Sequence, residues 1–260
     1  MKFFRLAILL LASILSGQHA LAEDRPVVAA AASLQFALTE AADAFSAETG
    51  RTVRLSFGSS GNLFRQIQQG APFEMFLSAD EAFVLDLAAK GLTANGQGDV
   101  YATGRLAVLV PKEGPVEADG SLAGLAAAVE DGRLKRFAIA NPELAPYGRA
   151  AAEALRHAGL WDAVQPTLVT GDNMSQAAQF VSSGNAQAGL VSLSLALAPD
   201  LAERTEYALV AEDWHEPLRQ RMALIGEPGE TARLFYAFLQ EKTAREIFVR
   251  YGYAPAGAAM

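Results

Sequence analysis

Serine lies at two points of this chain where an apolar or alternating run gives way to a helical pattern, and at the second point glycine accompanies it. Ser33 ends the run VVAAAAS at residues 27–33, and Ser60 lies in FGSSGNL at residues 57–63. Small residues let a ligand approach the backbone, and a serine hydroxyl can donate a hydrogen bond as well as cap a helix. The first N–H groups of a helix lack intrahelical partners and carry partial positive charge, so an anion is a natural ligand there. Each motif taken alone is equally typical of an ordinary turn or N-cap.

Alternating strands and helices must position these serines. Apolar residues recur at helical spacing from Leu34 to Phe45 until Gly50 ends the helix, and Val53 to Phe57 alternate as in a strand before the next helix begins. The pattern predicts further strands at residues 73–77, 105–110, 136–140, 167–170, 188–191 and 222–225, and helices after Asp80 and at 148–158, 174–182, 231–240 and 244–251. This alternation predicts an α/β fold built from mostly parallel sheets flanked by helices.

The first 22 residues are predicted to be a secretory signal sequence that is cleaved after Ala22. Basic Lys2 and Arg5 precede an apolar segment of about ten residues and the small-residue pattern Ala20-Leu21-Ala22. That segment is too short to span a bilayer. The chain has no cysteine, which excludes disulfides and a lipid anchor on a cysteine at the cleavage point. These features favour a bacterial periplasm as the location.

Net charge argues against nucleic acid or an anionic membrane as a partner. The chain has 21 basic and 29 acidic residues; removal of Lys2 and Arg5 with the signal leaves 19 against 29, a balance of −10. Removing 22 of 260 residues leaves 238, enough for one large domain or two lobes.

Six segments, taken in order, resemble the molybdate-binding proteins of bacterial ABC importers, which are two-lobed periplasmic binding proteins of the type II fold. The segments cover nearly the whole mature chain: AAASL, FGSSGNL and GAPFEMFLSAD in the first 80 residues, then NPELAPYGRAAAEAL at 141–155, GDNMSQAAQFVSSGNAQAGLV at 171–191 and the C-terminal FLQEKTAREIFVRYGY.

The resemblance implies that a tetrahedral oxyanion binds between the lobes through neutral hydrogen-bond donors. Ser33 and Ser60 would donate from the first lobe. Tyr147, in the turn Pro146-Tyr147-Gly148, and Met174 would offer backbone N–H groups from the second lobe. The best-known members also have a tyrosine directly after the Gly-x-Val strand, where this chain has Ser192. Three replacements for that contact stay open: direct donation by Ser192, a bridging water, or the Tyr147 hydroxyl. Ser192 could also be no more than the end of a strand.

The resemblance also implies the arrangement of the lobes and the transport role. We place the first lobe at residues 23–103 and 213–260 and the second at 104–212, with crossovers near 101–105 and 211–216. The expected partners are the oxyanion and the membrane permease subunits of an importer, the expected state is a monomer, and no cofactor is expected. Without a carboxylate acceptor the site disfavours phosphate, which keeps a proton near neutral pH. Cavity size would then separate molybdate and tungstate from the smaller sulfate.

Three alternative functions involve a different ligand or a different class of protein. A receptor for sulfate, thiosulfate or a small organic anion would share the fold. A secreted serine hydrolase is disfavoured because the chain has no G-x-S-x-G motif and the mature part has only His157 and His215 as candidate bases. A metal enzyme is disfavoured because there is no cysteine and no histidine pair at ligand spacing.

Overall fold

The computed structural model describes residues 25–256. The predicted signal sequence and its cleavage site after Ala22 lie outside the described residues. Within 25–256, no helix is both long and apolar enough to cross a membrane.

Eleven strands form two separate sheets within the described part of the chain. The strands are β1 (Val27–Ala31), β2 (Arg54–Gly58), β3 (Met75–Ser78), β4 (Asp99–Gly104), β5 (Leu106–Pro111), β6 (Phe137–Ala140), β7 (Leu168–Gly171), β8 (Ala188–Ser192), β9 (Thr205–Leu209), β10 (Leu218–Leu224) and β11 (Ala254–Pro255). The order is β11-β4-β10-β3-β1-β2 in the first sheet and β7-β6-β8-β5-β9 in the second. Each sheet with its helices forms one lobe.

Helices connect these strands. They are α1 (Gln35–Thr49), α2 (Ser60–Gln68), α3 (Glu81–Ala89), α4 (Ala123–Glu130), α5 (Pro146–His157), α6 (Trp161–Val164), α7 (Met174–Ser182), α8 (Leu193–Ala196), α9 (Pro199–Ala202), α10 (Glu230–Phe238) and α11 (Lys242–Arg250), with short 3₁₀ turns at Ala32–Leu34, Gln165–Thr167 and Glu212–Trp214. Gly50 ends α1 in the left-handed conformation at φ 70°, as the sequence predicts.

Both sheets are mixed, although most of their strands run in one direction. In the first lobe β1, β2 and β3 are mutually parallel and β10 is antiparallel to β3; β4 opposes β10 and therefore runs with β1. In the second lobe β6, β7 and β8 are parallel, and β5 alone runs against its neighbours β8 and β9. The parallel strands carry their helices at the same edge of each sheet, which brings several helix N-termini together.

The interior strands are apolar on both faces because helices cover both sides of each sheet. Val28, Ala29 and Ala30 of β1 and Phe137 to Ala140 of β6 are fully buried. The sequence did not predict β4, β9 or α4. The first crossover is a single residue, because β4 ends at Gly104 and β5 begins at Leu106.

Candidate functional site

A small cavity lies between the lobes where five strand-to-helix junctions meet. The lining residues are Ala31, Ala32, Ser33, Gly58, Ser59, Ser60 and Ala79 from the first lobe and Ala145, Pro146, Tyr147 and Met174 from the second. The cavity therefore brings together four of the five residues that the sequence predicts, Ser33, Ser60, Tyr147 and Met174. Ser192 does not line it.

The first lobe contributes three buried serines. The hydroxyls of Ser33 and Ser59 are buried and have no hydrogen-bond partner among the described residues. The Ser60 Oγ accepts a hydrogen bond from the Ala79 N–H at 3.0 Å, so its own proton remains available to donate. A buried hydroxyl without a partner costs roughly 1–3 kcal/mol. Both hydroxyls line one cavity and are free to donate to a group that enters it.

Ser59 is a residue that the sequence analysis missed. It is the N-cap of α2, but its side chain makes no capping hydrogen bond. The sequence places Ser59 beside Ser60 in FGSSGNL, but a serine at an N-cap ordinarily bonds to a helix N–H, so this position alone did not indicate a ligand contact. Only the structure shows that the hydroxyl is not used in this way.

The second lobe contributes helix N-termini. Pro146 and Tyr147 are the first two residues of α5, and proline suits this position because its missing N–H would have no partner there. Met174 is the first residue of α7, whose N-cap residue Asn173 accepts a hydrogen bond from the Gln176 N–H at 3.1 Å. First-turn N–H groups and the helix dipole of both helices thus favour negative charge in the cavity.

Backbone contacts hold the two lobes closed over the cavity. The Gly61 N–H donates to the Leu144 carbonyl at 2.9 Å, so the first turn of α2 touches the loop before α5. The Ser175 hydroxyl lies 3.1 Å from the Ala32 carbonyl and 2.7 Å from Gln35 Oε1. These contacts join residues more than 80 positions apart, one from each lobe.

One ion pair spans the rim of the cleft. Arg149 Nη1 lies 2.8 Å from Asp80 Oδ2, and Asp80 also caps α3 by accepting from the Ala82 N–H. Arg149 is 42% exposed at its side chain, so solvent screening leaves this pair a small contribution of about 0–1 kcal/mol. Arg65 and Arg105 are engaged with Asn62 and Glu212. None of these arginines lines the cavity.

The lining is uncharged. No residue among those that line the cavity is an acid or a base. Within residues 25–256 no group of three or more histidine, cysteine or acidic side chains is arranged to hold a metal ion. The arrangement can therefore bind an anion through neutral donors and cannot accept a proton from it through a carboxylate.

Ser192 lies behind the cavity. Its Oγ is fully buried and 3.0 Å from the Ser194 Oγ, which in turn lies 2.7 Å from the Ser33 carbonyl. The hydroxyl of Tyr147, the other candidate for the fifth contact, accepts a hydrogen bond from Gln220 Nε2 at 3.0 Å and retains a proton to donate.

Three buried tyrosines surround this part of the lobe interface. Burial raises the pKa of Tyr101 and Tyr147 well above the usual value, and burial raises the pKa of Tyr253 to about 12 against the opposing effect of its hydrogen bonds. Tyr101 donates to Gln220 Oε1 at 2.7 Å. All three hydroxyls therefore remain protonated donors at neutral pH.

The buried tyrosines predict a loss of stability in alkaline solution. Above about pH 10 the tyrosines of the unfolded chain ionise while the folded chain keeps its protons, so the unfolded state binds fewer protons and the free energy of unfolding falls as pH rises. The slope is at most roughly 1.4 kcal/mol per pH unit for each tyrosine, and for Tyr253 it extends to about pH 12. Urea titrations at pH 8, 10 and 11 measure the slope, and Tyr253→Phe should make it shallower. Equal slopes in both proteins would contradict the raised pKa of Tyr253.

Comparisons with known proteins identify relatives along almost the whole chain. The profile of the family described as "Bacterial extracellular solute-binding protein" matches residues 26–254. The molybdate-binding protein ModA of Azotobacter vinelandii is 36% identical over 228 residues, covering 87% of this chain and 88% of that protein. ModA of Escherichia coli strain K12 is 33% identical over 240 residues, covering 90% and 91%.

Solved structures agree with the sequence relatives. The Azotobacter vinelandii periplasmic molybdate-binding protein matches with a TM-score of 0.80 and 29% identity, over 88% of this chain and 99% of that one. The sulfate-binding protein SubI from Mycobacterium tuberculosis matches with a TM-score of 0.71 over 90% and 87% of the two chains; at 15% identity it shares the fold alone.

Proposed function

This chain belongs to the family of bacterial extracellular solute-binding proteins, and we propose that it captures molybdate between its two lobes and delivers it to an ABC importer. The two-lobed type II fold expected from the sequence is confirmed by the likeness to the solved molybdate-binding protein. The resemblance to the molybdate-binding proteins is likewise confirmed by relatives that are 33–36% identical over most of the chain.

The observation that carries the proposal is the pair of unpartnered hydroxyls in one uncharged cavity. Ser33 and Ser59 both present a buried oxygen that has no hydrogen-bond partner within residues 25–256, at the point where helix N-termini converge. A tetrahedral oxyanion has acceptor oxygens in several directions, so it can satisfy hydroxyls from one lobe and N–H groups from the other at once.

The proposed donor set follows the sequence predictions with one change. Ser33 and Ser60 donate from the first lobe, and the backbone N–H groups of Tyr147 and Met174 donate from the second. Ser59 adds a third hydroxyl. Ser192, for which direct donation, a bridging water and a purely structural role were all left open, does not line the cavity, and we propose that it acts through the hydroxyl network behind Ser33.

Hydrogen bonds from fixed dipoles can replace the hydration that a dianion loses in this cavity. Each bond to a charged partner contributes roughly 1.5–3 kcal/mol, so several bonds offset a cost of many kcal/mol. Molybdate, tungstate and sulfate are unprotonated at neutral pH, whereas phosphate often keeps a proton for which the lining offers no carboxylate acceptor. Size then favours molybdate and tungstate over sulfate.

The proposed lobes are residues 23–103 with 213–260, and residues 104–212. Sheet membership supports this division, because the strands of the first sheet lie within 27–104 and 218–255 and those of the second within 106–209. Closure about the two crossovers would bring the donors of both lobes onto one ligand.

The transport role implies a compartment and a partner. We propose that the protein is a periplasmic monomer whose signal is cut after Ala22, that it binds the permease subunits of an importer, and that it needs no cofactor and catalyses no reaction. A Bacillus subtilis relative described as a putative ABC transporter substrate-binding lipoprotein, 30% identical over 255 residues, supports the transport role.

A calorimetric titration of ligand-free protein with molybdate, tungstate, sulfate and phosphate tests the proposal. We expect tight one-to-one binding of molybdate and tungstate and little heat from sulfate or phosphate. Sulfate binding as strong as molybdate binding would contradict selection by size. Absence of heat with all four anions would overturn the proposed ligand class.

A further inference from the structure

The carbonyl oxygen of Ser33 is the centre of a buried hydroxyl cluster that lies outside the cavity. The Ser194 Oγ is 2.7 Å from this oxygen and the Tyr253 hydroxyl is 3.0 Å from it. The Tyr253 hydroxyl and the Ser194 Oγ are 3.1 Å apart, and the Ser192 Oγ is 3.0 Å from the Ser194 Oγ. We name these three side chains, Ser192, Ser194 and Tyr253, the hydroxyl cluster.

The cluster joins parts of the chain that are far apart in sequence. Ser192 ends β8 and Ser194 lies in α8, both in the second lobe, whereas Tyr253 follows α11 in the first. Tyr253 is 220 residues from Ser33. All three members are buried, with exposed fractions of 0–3%.

The protons of the cluster can satisfy every member in one arrangement. A carbonyl oxygen has two lone pairs and each hydroxyl has one proton. Ser194 and Tyr253 each donate to the Ser33 carbonyl, and Ser192 donates to the Ser194 Oγ. The Ser33 carbonyl is then fully occupied, and the burial that raises the pKa of Tyr253 to about 12 keeps that donor protonated.

These two donors restrain the 3₁₀ turn Ala32–Leu34, which presents the Ser33 hydroxyl to the cavity. The turn has no side-chain cap of its own. Two hydrogen bonds to one carbonyl fix the plane of the Ser33–Leu34 peptide. Because a hydroxyl that is preorganised loses less entropy on binding, restraint of the turn should raise affinity for the ligand.

We propose that Tyr253 and Ser194 are positioning residues that hold the Ser33 turn in its ligand-binding geometry, and that Ser192 contributes through Ser194. The inference rests on the proposed function, since it assigns these residues to the molybdate site. In this chain Ser192 therefore replaces the family tyrosine without contacting the ligand. It supports the Ser33 turn from the side that faces away from the cavity.

The test measures molybdate affinity by calorimetry in Tyr253→Phe and, from the other lobe, in Ser194→Ala. Loss of one neutral hydrogen bond should weaken binding roughly two- to tenfold in each variant. Tyr236→Phe is the matched control: it removes the hydroxyl of another buried tyrosine of the first lobe, which donates to Asp99 away from the cavity. We expect the control to lose thermal stability without losing affinity.

A double-mutant cycle separates positioning from a merely structural role. If Tyr253 acts through Ser33, its removal should have little further effect on affinity once Ser33→Ala has removed the hydroxyl that it positions. Losses that add fully in the double variant, or wild-type affinity in both Tyr253→Phe and Ser194→Ala, would overturn the inference. A wild-type protein that gives no heat with molybdate would overturn the proposed function and this inference with it.

Discussion

Ser33→Ala is expected to weaken molybdate binding by roughly ten- to a hundredfold while leaving the ligand-free protein at least as stable as the wild type. The Ser33 hydroxyl is buried and has no partner among the described residues, so its removal breaks no hydrogen bond within the protein. In the complex the same change removes one donor to a charged ligand, which costs roughly 1.5–3 kcal/mol. This combination distinguishes a binding residue from a core residue, whose loss would lower stability as well.

Calorimetry measures the affinity of Ser33→Ala for molybdate, and thermal unfolding of the ligand-free protein measures its stability. Ser183→Ala is the control, because Ser183 is exposed at the end of α7 and does not line the cavity. Wild-type affinity in Ser33→Ala would remove Ser33 from the donor set. The companion variant Ser60→Ala is less clean, since it also leaves the buried Ala79 N–H without its partner.

Local signals pointed to the first lobe's part of the cavity lining. Ser33 and Ser60 lie where a strand pattern is followed by a helix pattern, and such junctions are visible within about ten residues of sequence. Tyr147 and Met174 were predicted through the family resemblance, because no local pattern shows which backbone N–H groups face the cavity. The structure brings all four to one cavity.

The environment of Ser192 could not be predicted in this way. Its indirect relation to the site depends on Ser194 and on Tyr253, which reaches the Ser33 carbonyl from the far end of the chain. No local pattern reports a contact over 220 residues. The resemblance identified the position of Ser192 in the chain. It did not show where the Ser192 side chain points, because the family has a much longer tyrosine at this position.

The missed elements share a different cause. Strand β9 has two exposed residues, and α4 is an alanine-rich segment between glycines. Neither segment therefore shows a strong hydrophobic periodicity. Strand β4 was missed because DVYATG mixes small and polar residues; it is stabilised by pairing with β10, which is more than 100 positions later. Such pairing is a tertiary effect that overrides weak local propensity.

Gly61→Ala is expected to impair closure of the lobes and so to weaken molybdate binding roughly five- to 150-fold. A Cβ at this position would lie 2.8 Å from the Leu144 carbonyl oxygen and 3.2 Å from the Leu144 Cα, which are backbone atoms of the opposite lobe. A side chain cannot rotate away to relieve such a contact. The closed state must then shift or lose the Gly61 N–H to Leu144 hydrogen bond, and overpacking of this kind costs about 1–3 kcal/mol.

The open state should tolerate the same substitution, because Gly61 lies in the first turn of α2 and alanine favours a helix. Ligand-free Gly61→Ala is therefore expected to unfold at or above the wild-type temperature. Small-angle scattering with and without molybdate should show less compaction than in wild type, whereas Gln66→Ala, an exposed change on the same helix, should compact and bind normally. If Gly61→Ala binds with wild-type affinity and compacts fully, the contact between Gly61 and Leu144 does not define the closed state. A loss of affinity without loss of stability would instead show that binding energy depends on the two lobes meeting at this glycine.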